Sequence, residues 1–170
     1  ILFFGLIRDY KGLDLLINSV KYLNNRIADL KVLVVGENYK SMSKYYDLID
    51  KANLKDQFLF DLQFVEEHNI AKYFISSDIV VLPYKTASQS GIISLAYNFN
   101  RPVIVTDVGG LREYVVENKT GFIVNPDEKD LSNKINYFFE NKLFEEMSLF
   151  IKNYKDKFSW KNFEERINEK

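Results

Sequence analysis

The 170-residue sequence has no cysteine, one histidine, three prolines and one tryptophan. Without cysteine there is no disulfide framework, no thiolate metal site and no cysteine nucleophile. The single histidine, His68, cannot build a histidine metal cluster. No apolar run approaches the roughly 20 residues a membrane-spanning helix needs, so a soluble domain is expected. Neither sign of charge dominates: 23 basic and 24 acidic residues are mixed along the chain, and no overall field recruits nucleic acid. No internal repeat, low-complexity linker or second-domain boundary is found. What the chain does have is apolar residues, 46% of the total, enough at this length for one domain with a proper core. It opens on a buried-type strand, ILFFG, and so reads as a piece of a longer protein.

Apolar runs alternate with helical periodicity. Ile1 to Phe4 stops at Gly5, and Leu13, Leu16, Ile17, Val20 and Leu23 then recur at helical spacing. Lys31 to Val35 is a second strand, closed by Gly36 and followed by a helix from Ser43 to Ala52. Gln57 to Phe60 is a short strand, and Glu66 to Ser76 a helix with Ile70, Phe74 and Ile75 on one face. Asp78 to Leu82, Pro102 to Thr106 and Gly121 to Val124 read as strands. A helix carrying Ile92, Ile93, Leu95, Ala96 and Phe99 precedes the second of these, and Gly109-Gly110 opens a short helix through Val115. From Asp127 the pattern is helical, through Phe138, Phe139, Met147, Ile151 and Phe158 to Trp160, Phe163 and Ile167. Continuously apolar strands alternating with helices predict an α/β, Rossmann-like three-layer domain with a parallel sheet. Ligands of such sheets bind beyond the carboxyl ends of the strands, so the turns after Phe4, Val35, Leu82 and Thr106 should share one edge. Those turns hold the glycines and the polar residues.

Two of these turns could carry chemistry. Thr86, Ala87, Ser88, Gln89, Ser90 and Gly91 lead into a helix, whose N-terminus offers unpaired amides and partial positive charge to an anion. The plainer reading is that Ser88 or Ser90 only caps that helix. Arg8 and Lys11 lie in the first turn, either as solvated surface charges or as a clamp on a diphosphate at the same sheet edge. Two charge-assisted hydrogen bonds and the helix terminus would supply about 3–8 kcal/mol, against roughly 4–8 for a millimolar to micromolar ligand. Neither a Walker loop nor a GxGxxG fingerprint is present.

Taken together, FGLIRDYKGLDLLI, the PY…SG turn, NRPVIVTDVGGLREYV, NKTGFIV and FSW resemble the carboxyl-terminal, donor-binding half of group 1 (family 4) glycosyltransferases. The resemblance runs in register from Ile1 to about Trp160. It implies one half of a GT-B fold: residues 1–170 would bind the nucleotide sugar, and the amino-terminal acceptor domain would lie outside this chain. It further implies transfer from a UDP- or GDP-sugar to a glycan or lipid-linked acceptor, with retained anomeric configuration and with no metal or other cofactor. Lys11 matches the family's phosphate-binding lysine, and Gly5 opens the same turn. Leu6 stands where the family often has a basic residue, which leaves Arg8 as the second phosphate cation. Phe64 and Val65 match the loop bordering the nucleobase. Ser88, Gln89, Ser90, Gly91 and Ile92 match the turn contacting donor sugar and diphosphate.

The main departure is the family's glutamate pair, whose positions are held by Ala87 and Leu95. A branch with a TQSG-like turn does without that pair, and ASQSG resembles it, with Ser88, Gln89 and Ser90 replacing the first carboxylate's contacts. A catalytically degenerate nucleotide-sugar-binding module is the alternative reading. An epimerase of similar architecture would need acid and base groups in the cleft, and His68 is expected to be a solvated helix residue away from it. Glu113 is expected to stabilise a helix dipole, and the aromatics Phe138, Phe139, Phe144 and Phe150 to pack helices. By resemblance, Trp160 belongs to a tail returning toward the absent domain. The abundance of Lys and Asn suggests a bacterium with AT-rich DNA. By analogy the product would be envelope polysaccharide, made in the cytoplasm or peripherally at the inner face of the plasma membrane.

Overall fold

The computed structural model describes residues 1–23 and 26–155. Six strands form one sheet: β1 (Leu2–Phe4), β2 (Val32–Val35), β3 (Phe58–Asp61), β4 (Val80–Leu82), β5 (Val103–Thr106) and β6 (Gly121–Val124). Their order is β3-β2-β1-β4-β5-β6, and every neighbouring pair is parallel. All carboxyl ends therefore share one edge, as the apolar strand pattern predicts. Among the described residues six α-helices accompany the strands: α1 (Leu13–Leu23), α2 (Ser43–Lys51), α3 (Glu67–Ile75), α4 (Gly91–Asn98), α5 (Glu128–Glu140) and α6 (Phe144–Lys155).

The strands alternate between two apolar layers because successive side chains of a strand point to opposite faces. Leu2, Val80, Leu82, Val103 and Val105 join Phe74 of α3 with Ile93 and Ala96 of α4. One residue along, Phe3, Val81, Ile104 and Phe122 join α1 through Leu16 and Ile17 and α5 through Leu131, Ile135 and Phe138. With both faces covered, β1, β2 and β4 are apolar throughout, whereas the edge strand β3 exposes Leu59 and ends on Asp61. Burying each such side chain contributes about 1.5–3 kcal/mol, so the two layers set the rigidity of the edge above them.

Three local expectations are corrected. Ile75 is 61% exposed, and Tyr73 with Phe74 faces the core instead. Positions three and four after Ile70 share its face, whereas the fifth has rotated away. The short helix expected after Gly109-Gly110 is a 3-10 turn, Leu111–Tyr114, and ends one residue before Val115. The carboxyl-terminal helical pattern is broken between Glu140 and Phe144, where Lys142 takes a left-handed φ of 52° and divides α5 from α6. Phe158, Trp160, Phe163 and Ile167 lie outside the described residues.

From β1 the chain moves outward to β2 and β3, then returns to place β4 on the other side of β1. The turns after β1 and β4 thus leave the sheet in opposite directions and open a crevice between them, the place where open α/β sheets bind ligands.

Candidate active site

After Phe4 the chain turns at Gly5, and Asp9–Lys11 wind into one 3-10 turn that ends on Gly12. Gly12 has φ +69°, and a Cβ there would fall 1.9 Å from the Pro83 carbonyl oxygen. Only glycine allows this turn to press so closely on the end of β4. The Lys85 amide donates to the Tyr10 carbonyl at 2.7 Å, and Lys85 Nζ reaches Asp14 Oδ2 at 2.5 Å. The turn after β4 is therefore tied to the turn after β1 through the backbone and to the first turn of α1 through a side chain.

The loop from Thr86 to Ser90 ends by capping α4. Ser90 is the N-cap, with its Oγ accepting the Ile92 amide at 3.3 Å, so the capping reading of this serine is realised. Helix geometry still leaves the first-turn amides, Gly91's among them, without intrahelical acceptors. A shelf supports the loop from below: the Gly110 amide donates to the Ser88 carbonyl at 3.1 Å. Gly109, at φ +53°, lies so near Ala87 that a Cβ would come 1.5 Å from that residue's carbonyl oxygen. The Thr106 hydroxyl, fully buried, donates to the Tyr84 carbonyl at 2.6 Å and anchors the start of the loop to β5.

Between the two turns lies an open cavity of about 520 Å³, lined by Tyr10, Lys11 and Tyr84 on one side and by residues 86–92 on the other. That volume is within the usual range of small-molecule sites, roughly 300–1,000 Å³. Lys11 is only 8% exposed, which is unusual for a lysine. Its ammonium stands 5.6 Å from the centre of the Tyr84 ring, and it has no carboxylate partner among the described residues. The head lies so close to Gly5 that a Cβ there would be 2.8 Å from Nζ. Burial without a counter-charge pushes the Lys11 pKa below its ordinary value. Such a cation is poised to receive an anion that restores the lost solvation.

Tyr84 was not singled out by sequence, yet it ties the site together. Its ring meets Tyr10 edge-on at 6.0 Å, its hydroxyl is 3.4 Å from Ser90 Oγ, and burial pushes its phenol up to about 12. Its position next to the carboxyl end of an apolar strand was the available signal.

Of the residues singled out by sequence, Lys11, Ser88, Gln89, Ser90, Gly91 and Ile92 line this one cavity, and Gly5 borders it. Arg8 does not: it lines a separate cavity toward α2. Arg8 is extended at φ -135° and ψ 151°, and the backbone then changes to the 3-10 turn that carries Lys11, so the two cations diverge. Phe64, 71% exposed, and Val65, partly buried against the core, sit on the loop from β3 to α3 and outside the cavity lining. Ala87 lines the cavity, whereas Leu95 packs into the apolar layer beneath α4. His68 is solvent-exposed on α3, with Nδ1 3.3 Å from Glu66 Oε2. Among the described residues no group of His, Cys, Asp and Glu is arranged to hold a metal ion, and no helix is long and apolar enough to cross a membrane.

Comparison with known proteins now decides the family. The sequence profile described as "Glycosyl transferases group 1" matches residues 1–157. The chain belongs to this family. A group 1 relative, the D-inositol 3-phosphate glycosyltransferase of an Arthrobacter species, is 31% identical over 129 residues, covering 74% of this chain and 30% of that protein. The GDP-mannose:glycolipid 4-beta-D-mannosyltransferase of Xanthomonas campestris is 32% identical over 105 residues, 61% of this chain and 29% of that protein. The chain thus spans about 30% of the length of these curated relatives. In fold it is similar to the C-terminal domain of the group 1 protein LpcC from Francisella tularensis, with TM-score 0.82, 21% identity, and 94% and 85% of the two chains covered. Anabaena HepE, solved in complex with UDP, superposes with TM-score 0.82 at 20% identity over 99% of this chain and 47% of its own.

Proposed function

We propose that this group 1 chain is the carboxyl-terminal, donor-binding half of a retaining glycosyltransferase that moves a sugar from a UDP- or GDP-sugar to a glycan or lipid-linked acceptor. The observation that carries the reading is the buried Lys11 ammonium, without a carboxylate partner among the described residues, sharing a cavity with the N-terminus of α4. In this reading the diphosphate lies between Lys11 and the Gly91 amide at the N-terminus of α4, the Ile92 amide being taken by Ser90 Oγ. As the bond to the sugar breaks, negative charge gathers on the leaving diphosphate, and those fixed donors stabilise it without rearranging. No metal is required, because Lys11 and the helix terminus supply the positive field. With Arg8 in a different cavity, the clamp contributes about 2–5 kcal/mol rather than the larger sum expected from two cations. Base and ribose contacts, with Phe64 and Val65 bordering the base, would supply the remainder.

The relatives' names, one a GDP-mannose-dependent mannosyltransferase, and the UDP in HepE support a nucleotide-sugar donor. The likeness to an isolated C-terminal domain supports a second, acceptor-binding domain outside this chain. One observation favours the alternative of a module that binds but does not catalyse: Ala87 places a methyl group in the cavity where the resemblance expects a carboxylate.

The test is calorimetric titration of UDP, GDP and uridine into wild type and Lys11→Ala. Binding of one diphosphate, weakened roughly tenfold or more by the substitution, is expected, with uridine unaffected. Equal affinity in both proteins would refute the clamp. Nucleotide binding without sugar transfer by the two-domain enzyme would select the degenerate module.

A further inference from the structure

The turn after β1 sends its two cations to two places. Arg8 lines a second cavity, of about 330 Å³, with Asp9, Lys40, Ser41, Ser43 and Lys44. It lies on the carboxyl edge of the sheet, between the β1 turn and the β2–α2 loop, which are tied by the Ile7 amide donating to the Glu37 carbonyl at 2.8 Å. Three cations line this cavity with a single carboxylate, and a second carboxylate, Glu37, stands beside it bonded to the Tyr39 hydroxyl at 2.8 Å. Asp9 accepts from Lys44 and, at 3.2 Å, from Lys40, and those bonds hold its carboxyl below the usual carboxylate range. Arg8 is left without a carboxylate among the described residues and rests over the Tyr39 ring at 5.5 Å. An aromatic face under a guanidinium leaves its in-plane donors available for a planar pair of oxygens. Among the described residues the Ser41 and Ser43 hydroxyls, 2.9 Å apart, bond to each other and to the Ser43 amide, and Ser43 opens α2.

We propose that this second cavity binds a phosphoryl group, independently of whatever occupies the Lys11 cavity. The positive surplus of the lining suits an anion, and the arginine fork with two serine hydroxyls matches phosphate oxygens better than a single carboxylate. Asp9 acts as a placeholder that keeps Lys40 and Lys44 in position until the phosphoryl group replaces it. The group is either the headgroup of an anionic phospholipid or the phosphate of a soluble molecule.

Inorganic phosphate titrated into the chain and followed by two-dimensional NMR reads both cavities at once. The Arg8 Nε–H and the Ser43 amide report the second cavity, and the Gly91 amide reports the first. Saturable shifts at Arg8 and Ser43 are expected. Arg8→Ala and Lys44→Gln should each weaken the Ser43 response roughly tenfold or more while the Gly91 response persists, and Asp9→Asn should strengthen it. Lys44 and Asp9 are exposed and Arg8 is half-buried, and circular dichroism of each variant confirms folding before titration. In a second arm, the chain is sedimented with phosphatidylglycerol vesicles. Vesicle binding lost in Arg8→Ala and Lys44→Gln assigns the group to a lipid headgroup, and phosphate binding without vesicle binding assigns it to a soluble molecule. No saturable shift at Ser43, or one that Arg8→Ala leaves unchanged, overturns the proposal.

Discussion

Replacing Lys11 with methionine should strengthen the fold and weaken the site together. Lys11 is 8% exposed, stands beside Gly5 and the Tyr84 ring, and has no opposing charge among the described residues. Burial lowers its pKa below the ordinary 10.5, so the unfolded chain holds the proton more tightly than the folded one. Stability of the wild type therefore rises with pH between the lowered value and 10.5, and the penalty of the buried charge is fully felt below that window. Methionine keeps the length and removes the charge. At neutral pH the variant should gain on the order of 1 kcal/mol, a Tm rise of about 2–4 °C, and the advantage should shrink as the pH approaches the ordinary lysine range. Binding should move the other way. Losing one charge-assisted hydrogen bond of about 1.5–3 kcal/mol weakens UDP or GDP roughly 10- to 150-fold. Wild-type affinity should also fall with rising pH, starting below the range where exposed lysines titrate, whereas the variant should lack that slope. Thermal melts and calorimetric titrations between neutral and alkaline pH measure both. A variant that melts lower while binding nucleotide as tightly as wild type would show that Lys11 is a structural residue, and the reasoning would fail.

Other substitutions probe the scaffold. Gly12→Ala puts a Cβ 1.9 Å from the Pro83 carbonyl at a left-handed φ, and urea denaturation should read a loss of about 2–5 kcal/mol or an unfolded chain. Gly109→Ala drives a Cβ against the Ala87 carbonyl, 1.5 Å away, so a crystal structure should show residues 86–90 displaced, with nucleotide affinity reduced in proportion. Ser90→Ala removes the α4 cap, and denaturation should give a loss of about 0.5–2 kcal/mol. Leu16→Ala empties a fully buried site between α1 and the sheet, with an expected loss of roughly 2–5 kcal/mol.

Much of the architecture was legible in the chain. Leu13, Leu16, Ile17, Val20 and Leu23 recur at helical spacing, and all five are buried on α1. Gly121 to Val124 is a strand with the boundaries expected from its apolar run. The loop from Thr86 to Ser90 and the placement of Lys11 followed from a rule about parallel sheets, and both line one cavity. Arg8 escaped that reasoning: three residues of spacing say nothing about the change from extended backbone to 3-10 turn that separates it from Lys11. Tyr84 escaped it too, since an aromatic after a strand has no local signature that tells a core residue from a wall of a site.

What the chain determined by itself is local. Hydrophobic period, serine capping and the position of glycines depend on neighbours within a few residues, and these set the strands, the helices and the amide-bearing end of α4. What only the tertiary structure decided is which groups meet there. The strand order brings the turn after β1 against the loop after β4, with Gly12 under the Pro83 carbonyl and Gly109 under Ala87. That approach buries one lysine and leaves its neighbour Arg8 to a second cavity, because burial is set by segments far apart in the chain and no spacing within one turn encodes it.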